Sequence, residues 1–425
     1  MRTDTKMTGI RGFFLTVFKW TALCCAVGLL SGSASALFLA LLQEATDFRE
    51  THSWMLLLLP LTGLLCGLLY HYAGASVSGG NNLLIDEFHT PRRPIPFRMA
   101  PLVLAGTLLT HLGGGSAGRE GTAVQMGAAL AERLKAPFRL SRKERRILLI
   151  TGISGGFASV FGTPLAGAVF GLEVLHGGRT RYAALLPALL SALVADLSCR
   201  AWQTGHTHYP IPELPVLGIS SLGFCIAAGM LFGLAALLFS QSVHACTRLF
   251  ARCIAWPPLR PFLGGTVLAV LFWFGGTRYA GLGIPVIEEA FRSPAPAYGF
   301  LLKILFTAFT LGAGFKGGEV TPLFFTGAVL GSALSLWIPL PLSLMAALGF
   351  TAVFAGASNT PLACILMGIE LFGTDAALYL VPACVTAYFF SGHKGIYSAQ
   401  ATGRPGHLLF GQAKKRAMQY TRRLF

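Results

Sequence analysis

The chain has 425 residues, 54% of them apolar and only 12% charged, and its mean hydropathy is +0.63. So few charges cannot cover the surface of a soluble globule of this size, and so apolar a chain is not disordered. The net charge of +16 sits mainly in short segments between apolar runs, which points to membrane loops and anionic lipid headgroups and not to nucleic acid.

In chain order, residues 1–20 carry Arg2, Lys6, Arg11 and Lys19 and read as a cytoplasmic N-terminal segment. The apolar stretch 21–42 is too long for a signal-peptide core and lacks a clear small-residue cleavage site, so it is expected to remain as a first membrane helix. Spans of about 20 apolar residues are expected over 18–42, 54–74, 99–113, 183–200, 217–250, 260–276, 298–312 and 374–391. Between them, stretches 78–88, 118–132, 147–175, 317–340 and 343–372 are interrupted by Gly and Pro. Backbone broken at membrane depth survives only where it is buried in protein or lines a cavity, which points to a transporter or channel.

The basic groups Arg92, Arg93 and Arg98, the run from Arg133 to Arg146, Arg179 with Arg181, and the tail 412–425 are expected on the cytoplasmic side, leaving both termini inside. Glu44, Asp47, Glu50, Glu213, Glu288 and Glu289 lie in less basic, external segments. The nine cysteines lie mostly within apolar runs and show no ligand spacing, which supports neither a disulfide framework nor a metal site. No cofactor is implied.

The chain contains an internal repeat. Thr163-Pro-Leu-Ala is matched by Thr360-Pro-Leu-Ala, and Gly171-Leu-Glu173 by Gly368-Ile-Glu370. Upstream, Gly118-Arg-Glu120-Gly-Thr122 is echoed by Gly318-Glu319-Val-Thr321-Pro322. Two motif pairs in the same order and at nearly the same offset indicate a duplicated plan. Glu173 precedes Arg179 and Arg181, whereas Glu370 precedes a segment without basic residues, so the halves are expected to be inverted. The expected organisation is a first repeat over 21–200, a second over 217–391, and a midplane-to-cytoplasm helix with a basic tail over 392–425.

Glycine-marked segments at 78–82, 118–122, 317–322 and 392–397 each open a helix-like stretch. A helix start leaves about four N–H groups unpaired and carries roughly half a positive charge, and glycine lets a ligand approach the backbone. Several such ends meeting at mid-membrane form an anion site weak enough to release its anion. Glu120 and Glu319 are the acidic residues at these breaks. A carboxylate there competes with an anion when ionised and withdraws when protonated, which couples anion binding to a proton.

These segments resemble the CLC family of chloride channels and anion/proton antiporters. The resemblance covers nearly the whole chain, from the first helix to Tyr397. Gly118-Arg-Glu-Gly-Thr122 resembles the family's GREGP motif, which implies that Glu120 is the gate and proton carrier. Gly318-Glu-Val-Thr-Pro322 resembles the GxFxP segment, Tyr397 the central tyrosine, and residues 78–82 stand in place of GSGIP. The implied fold is an all-α polytopic membrane protein with two inverted-topology repeats and many tilted, broken helices. The implied assembly is a homodimer with one pore per subunit.

Three departures are similar to the fluoride/proton antiporter clade. Gly79 replaces the family's serine, Thr122 the proline of GREGP, and Val320 the phenylalanine of GxFxP, with Glu319 before it. Fluoride is small and strongly hydrated, so replacing its water needs dense donors in a tight site. The candidate anion-binding residues are Gly79, Gly80, Asn81, Gly121, Thr122, Glu319, Val320, Thr321, Tyr397 and, as an aromatic edge, Phe324. The family's internal proton glutamate aligns at Val174, with Glu173 one residue earlier, so the inner proton route is not carried over. Glu319 and Thr321 are the candidates for it.

The function implied is export of fluoride from a bacterial cytoplasm across the inner (plasma) membrane in exchange for protons. A chloride/proton antiporter or a CLC anion channel is the nearest alternative. Gly152-Ile-Ser154-Gly155 also matches the GxSG of rhomboid-type intramembrane proteases, but no His stands at a recognisable spacing, and small-residue helix packing accounts for it more simply. No enzymatic role is expected. His176, His206, His208 and His393 have no ligand spacing, and Arg119 reads as a pairing or snorkelling group.

Overall fold

The computed structural model describes residues 2–176, 182–205, 209–392 and 394–400. Arg179, Arg181, His206, His208, His393 and the basic tail therefore lie outside the described residues.

Among the described residues, eight α-helices form the first half: α1 (Arg2–Thr51), α2 (Leu59–Tyr72), α3 (Asn81–His89), α4 (Met99–Leu112), α5 (Glu120–Arg133), α6 (Arg142–Phe161), α7 (Pro164–His176) and α8 (Leu185–Ala201). Eight follow in the second: α9 (Ile219–Cys253), α10 (Leu259–Gly275), α11 (Ile284–Ala290), α12 (Gly299–Ala313), α13 (Val320–Leu334), α14 (Leu342–Ser358), α15 (Pro361–Phe372) and α16 (Ala377–Phe390). Short α11 falls in a segment the sequence reading left unassigned. Gly392 and residues 394–400 are turns and irregular backbone, and the rest of the 392–425 segment, where a helix and basic tail are expected, lies outside the described residues.

Among the described residues, only α1, α9 and the continuous helical stretch ending in α2 are long and apolar enough to cross a membrane by themselves. A helix such as α13 reaches only about 22 Å at 1.5 Å per residue, short of a hydrocarbon core of about 30 Å. Such helices start or stop inside the protein. The matching Thr-Pro-Leu-Ala motifs explain one such break in each half. Gly162 (φ +71) and Asn359 (φ +63) end α6 and α14 in the left-handed region, and Pro164 and Pro361 open the next helices. That pairing follows from glycine or asparagine past a helix end and proline at a helix start.

The packing repeats as the sequence does. α1 packs on α8 as α9 packs on α16, α5 on α6 as α13 on α14, and α7 on α8 as α15 on α16. In the first half, a side chain at Gly127 would strike the carbonyl of Gly152; in the second, one at Gly327 would strike that of Gly349. Glycine at these crossings lets the helix backbones touch, the small-residue packing expected where lipid supplies no hydrophobic drive. Ser154 belongs to the same surface: its hydroxyl donates to the carbonyl of Ala168 at 3.5 Å and abuts Gly171.

Away from this centre, Arg145 of α6 ties two helices together. Its Nε donates to Glu132 of α5 at 2.8 Å, and its Nη1 lies 3.6 Å from Glu87 of α3. All three residues are buried. Removing one member of such a group leaves an uncompensated buried charge, at a cost of about 3–5 kcal/mol. The guanidinium thus fixes α3 and α5 at their C-terminal ends, while their N-terminal ends meet at the centre.

Candidate functional site

The two Gly-rich motifs meet at the middle of the molecule. The amide of Gly118 donates to the carbonyl of Gly318 at 2.6 Å, and the amide of Gly318 returns to that of Gly118 at 2.7 Å. This antiparallel pair places the starts of α5 and α13 back to back, as inverted repeats require. A Cβ at Gly318 would lie 2.8 Å from the amide nitrogen of Gly121. Only glycine fits so close to another backbone.

Glu120, the first residue of α5, is 1% exposed. Its carboxylate reaches across to the opening turn of α13. Thr321 Oγ1 donates to Glu120 Oε1 at 2.6 Å, and the Thr321 amide donates to Oε2 at 3.1 Å. The amide of Arg119 also donates to Oε2 at 3.1 Å, and Arg119 Nε stands 3.9 Å from Oε1. An anionic group thus occupies the N-terminal end of α13, where unpaired N–H groups and the helix dipole favour negative charge. Hydrogen bonds to a charged acceptor contribute about 1.5–3 kcal/mol each.

The remaining candidates divide. Asn81 opens α3 after Gly80, whose φ of +56 suits glycine. A Cβ at Gly121 would lie 3.0 Å from Asn81 Nδ2, so the amide sits against the α5 opening. Asn81 Oδ1 is buried without a hydrogen-bond partner among the described residues. Val320 is buried at the first position of α13, and Glu319 immediately precedes it. Tyr397 is 5% exposed and lies within electrostatic reach of both Glu319 and Glu120. Phe324 stacks on Phe350 with centroids 3.9 Å apart.

Two candidates are not brought to the cluster by their side chains or position. Thr122 Oγ1 pairs with Thr107 Oγ1 of α4 at 2.7 Å. Two residues beyond Glu120, it points about 200° around the helix, toward α4. Gly79 is exposed, and its nearest neighbour is Leu83.

Two small cavities flank the cluster. One, of about 30 Å³, is lined by Arg119, Glu120, Thr321, Phe324, Phe350 and Tyr209 among others. The other, of about 10 Å³, is lined by Asn81, Val124, Ile153, Val174 and Tyr397 among others. Volumes of this size hold about one or two water-sized particles. Beyond the first, Arg119 also borders a vestibule of about 500 Å³ with Arg49 and Arg278. Val174 therefore faces an apolar cavity, and neighbouring Glu173 turns elsewhere: it accepts the amides of Leu362 (3.2 Å) and Ala363 (2.8 Å) at the start of α15.

Sequence reasoning missed Tyr209, Asn82 and Gln400. Asn82 Oδ1 accepts the Ala399 amide at 3.0 Å, and Gln400 Nε2 donates to the carbonyls of Ser358 at 2.8 Å and Val174 at 3.3 Å. These bonds hold the segment that carries Tyr397. No motif marks Tyr209 or Gln400, and the 78–82 segment assigns Asn82 no partner, because each acts across a large sequence distance.

The family model described as voltage gated chloride channel matches residues 62–392. A chloride/fluoride channel protein of Pseudomonas syringae pv. tomato is 52% identical, the match covering 92% of this chain and 88% of that protein. An H(+)/Cl(−) exchange transporter of Vibrio cholerae serotype O1 is 26% identical over 88% of this chain and 85% of its own. The crystal structure of a CLC-type fluoride/proton antiporter superposes with a TM-score of 0.88 at 37% identity, covering 91% of this chain and 98% of that one. With its broken helices, paired inverted motifs and family match, the chain belongs to the voltage gated chloride channel, or CLC, family of membrane-embedded transport proteins.

Proposed function

We propose that the protein exchanges fluoride for protons across the bacterial inner membrane, driving fluoride out of the cytoplasm, with Glu120 as both gate and proton carrier. One observation carries this reading: the Glu120 carboxylate accepts the hydroxyl and the amide of Thr321 at the start of α13. An ionised carboxylate in that place excludes an anion. Protonation removes its charge, weakens both bonds and leaves the helix end to a halide. When the halide departs, the carboxylate loses its proton and returns. The proton is taken from the side to which the halide leaves and is delivered to the other side, so anion and proton move in opposite directions.

Fluoride is favoured over larger halides by the tightness of the site and by its donors. The Asn81 amide, the Thr321 hydroxyl and the open helix amides replace the ion's water shell. The relatives support this choice, one being called a chloride/fluoride channel protein and another a fluoride/proton antiporter. On the inner side, Glu319 and Thr321 are proposed to relay the proton past Tyr397, since Val174 offers no ionisable group. The basic N-terminal segment and tail support a topology with both termini in the cytoplasm, and the apolar faces suit a lipid surround. A second copy completes a homodimer, for which exposed Leu165 and Leu362 on the paired helices α7 and α15 offer an apolar face.

Purified protein in liposomes tests this directly. Fluoride efflux is expected to drive proton uptake and to accelerate when a proton gradient opposes it in direction, with chloride efflux much slower. Fluoride efflux indifferent to the proton gradient would make the protein a channel. Chloride efflux as fast as fluoride would make it a general halide carrier.

A further inference from the structure

The two cavities beside Glu120 are the same cavity built twice. Positions about 200 residues apart line them in turn: Asn81 and Ile284, Val124 and Phe324, Ile153 and Phe350, Val174 and Leu371. The helices that open them, α3 and α11, both follow a glycine of positive φ, Gly80 (φ +56) and Gly283 (φ +75). The correspondence extends outside the repeated helices. Tyr397 follows the last helix of the second half, yet it lines the cavity built by α3, α5, α6 and α7 of the first. Tyr209 follows the last helix of the first half, yet it lines a cavity whose other wall is α11, α13, α14 and α15 of the second, with Arg119, Glu120, Val160 and Phe161 of the first half at its edge. Each tyrosine is nearly buried, at 5% and 8% exposure.

We propose that Tyr209 is the counterpart of Tyr397 at the opposite mouth, a positioning residue that closes the Glu120 side of the pathway and limits the size of the anion that passes. Its ring stacks on Phe291 (5.0 Å) and packs against Phe350 (5.6 Å), which in turn stacks on Phe324. Tyr209 is thereby bound to the wall of the cavity into which the Glu120 carboxylate must swing. The cavity of about 30 Å³ has room for a water-sized ion. A larger halide needs the tyrosine to move. The two mouths also differ in chemistry. Where the Tyr397 side has the Asn81 amide in an otherwise apolar wall, the Tyr209 side has Ile284 at that place and takes its polar lining from Arg119, Glu120 and Thr321, so what Tyr209 itself adds to this mouth is shape and aromatic packing.

This inference rests on the transport reading and deepens it. The full chain in liposomes, assayed for fluoride efflux, chloride efflux and proton uptake, separates the two. Tyr209→Ala is expected to raise chloride efflux relative to fluoride about tenfold or more, the scale of discrimination one packing group gives in an apolar pocket. It is also expected to lower the protons moved per fluoride, because the mouth no longer waits on Glu120. Tyr209→Leu, which still fills apolar space, gives a smaller shift of the same sign and decides the matter if the alanine variant does not fold. Tyr209→Phe retains the ring and is expected to restore selectivity. Wild-type selectivity and coupling in both Tyr209→Ala and Tyr209→Leu would overturn the proposal. A wild type that moves no fluoride would instead overturn the transport reading.

Discussion

Glu173 and Glu370 cap each other's halves of the molecule. Glu370 accepts the amides of Leu165 (2.9 Å) and Ala166 (2.8 Å) at the start of α7, the helix that ends near Glu173. Glu173 returns the same pair of bonds to Leu362 and Ala363 at the start of α15, the helix that bears Glu370. Each carboxylate satisfies two amides that Pro164 or Pro361 leaves at a helix start inside the protein. The exchange binds the two halves through charge at the positive ends of both helices.

Glu173→Gln and Glu370→Gln are each expected to destabilise the fold by about 1–2 kcal/mol, the cost of a lost N-terminal cap. Thermal unfolding in detergent, followed by loss of the monodisperse species, measures this. Because Glu173 is committed to α15, its glutamine variant is expected to keep proton-coupled fluoride transport. A loss of coupling without loss of stability would give Glu173 the proton role that Val174 lacks.

Glu120→Gln keeps the size of the gate and removes its titration. Proton uptake driven by fluoride efflux is expected to vanish. A pH electrode on a vesicle suspension reads this, and an unchanged stoichiometry would count against Glu120 as the carrier.

Thr321→Val removes the 2.6 Å hydroxyl donation to Glu120 and leaves the amide. The closed gate is expected to lose about 1.5–3 kcal/mol, equivalent to a tenfold to hundredfold shift toward the open arrangement. Fluoride then leaks with fewer protons exchanged. Thr321→Ser restores the donor and is expected to restore the coupling.

Glu319→Gln tests the inner relay. Slower fluoride-driven proton uptake with fluoride binding retained is the expected result, and isothermal titration with fluoride separates the two. Uptake at the wild-type rate would remove Glu319 and Thr321 from the route.

The sequence alone determined the membrane class, the duplicated plan and the motif residues around Glu120. Those properties are local: they depend on the length of apolar runs, on where glycine and proline break a helix, and on residue identities repeated at a fixed offset. Only the tertiary structure decided partnerships across the duplication. That Glu120 rests on Thr321, that Thr122 turns away to Thr107, and that Glu173 serves α15 are contacts between residues distant in the chain or set by helix rotation. Tyr209 shows the limit most plainly. It lies in no motif, and its place at the mouth follows from how an inverted pair of repeats sets the tyrosine after each half against the opposite half.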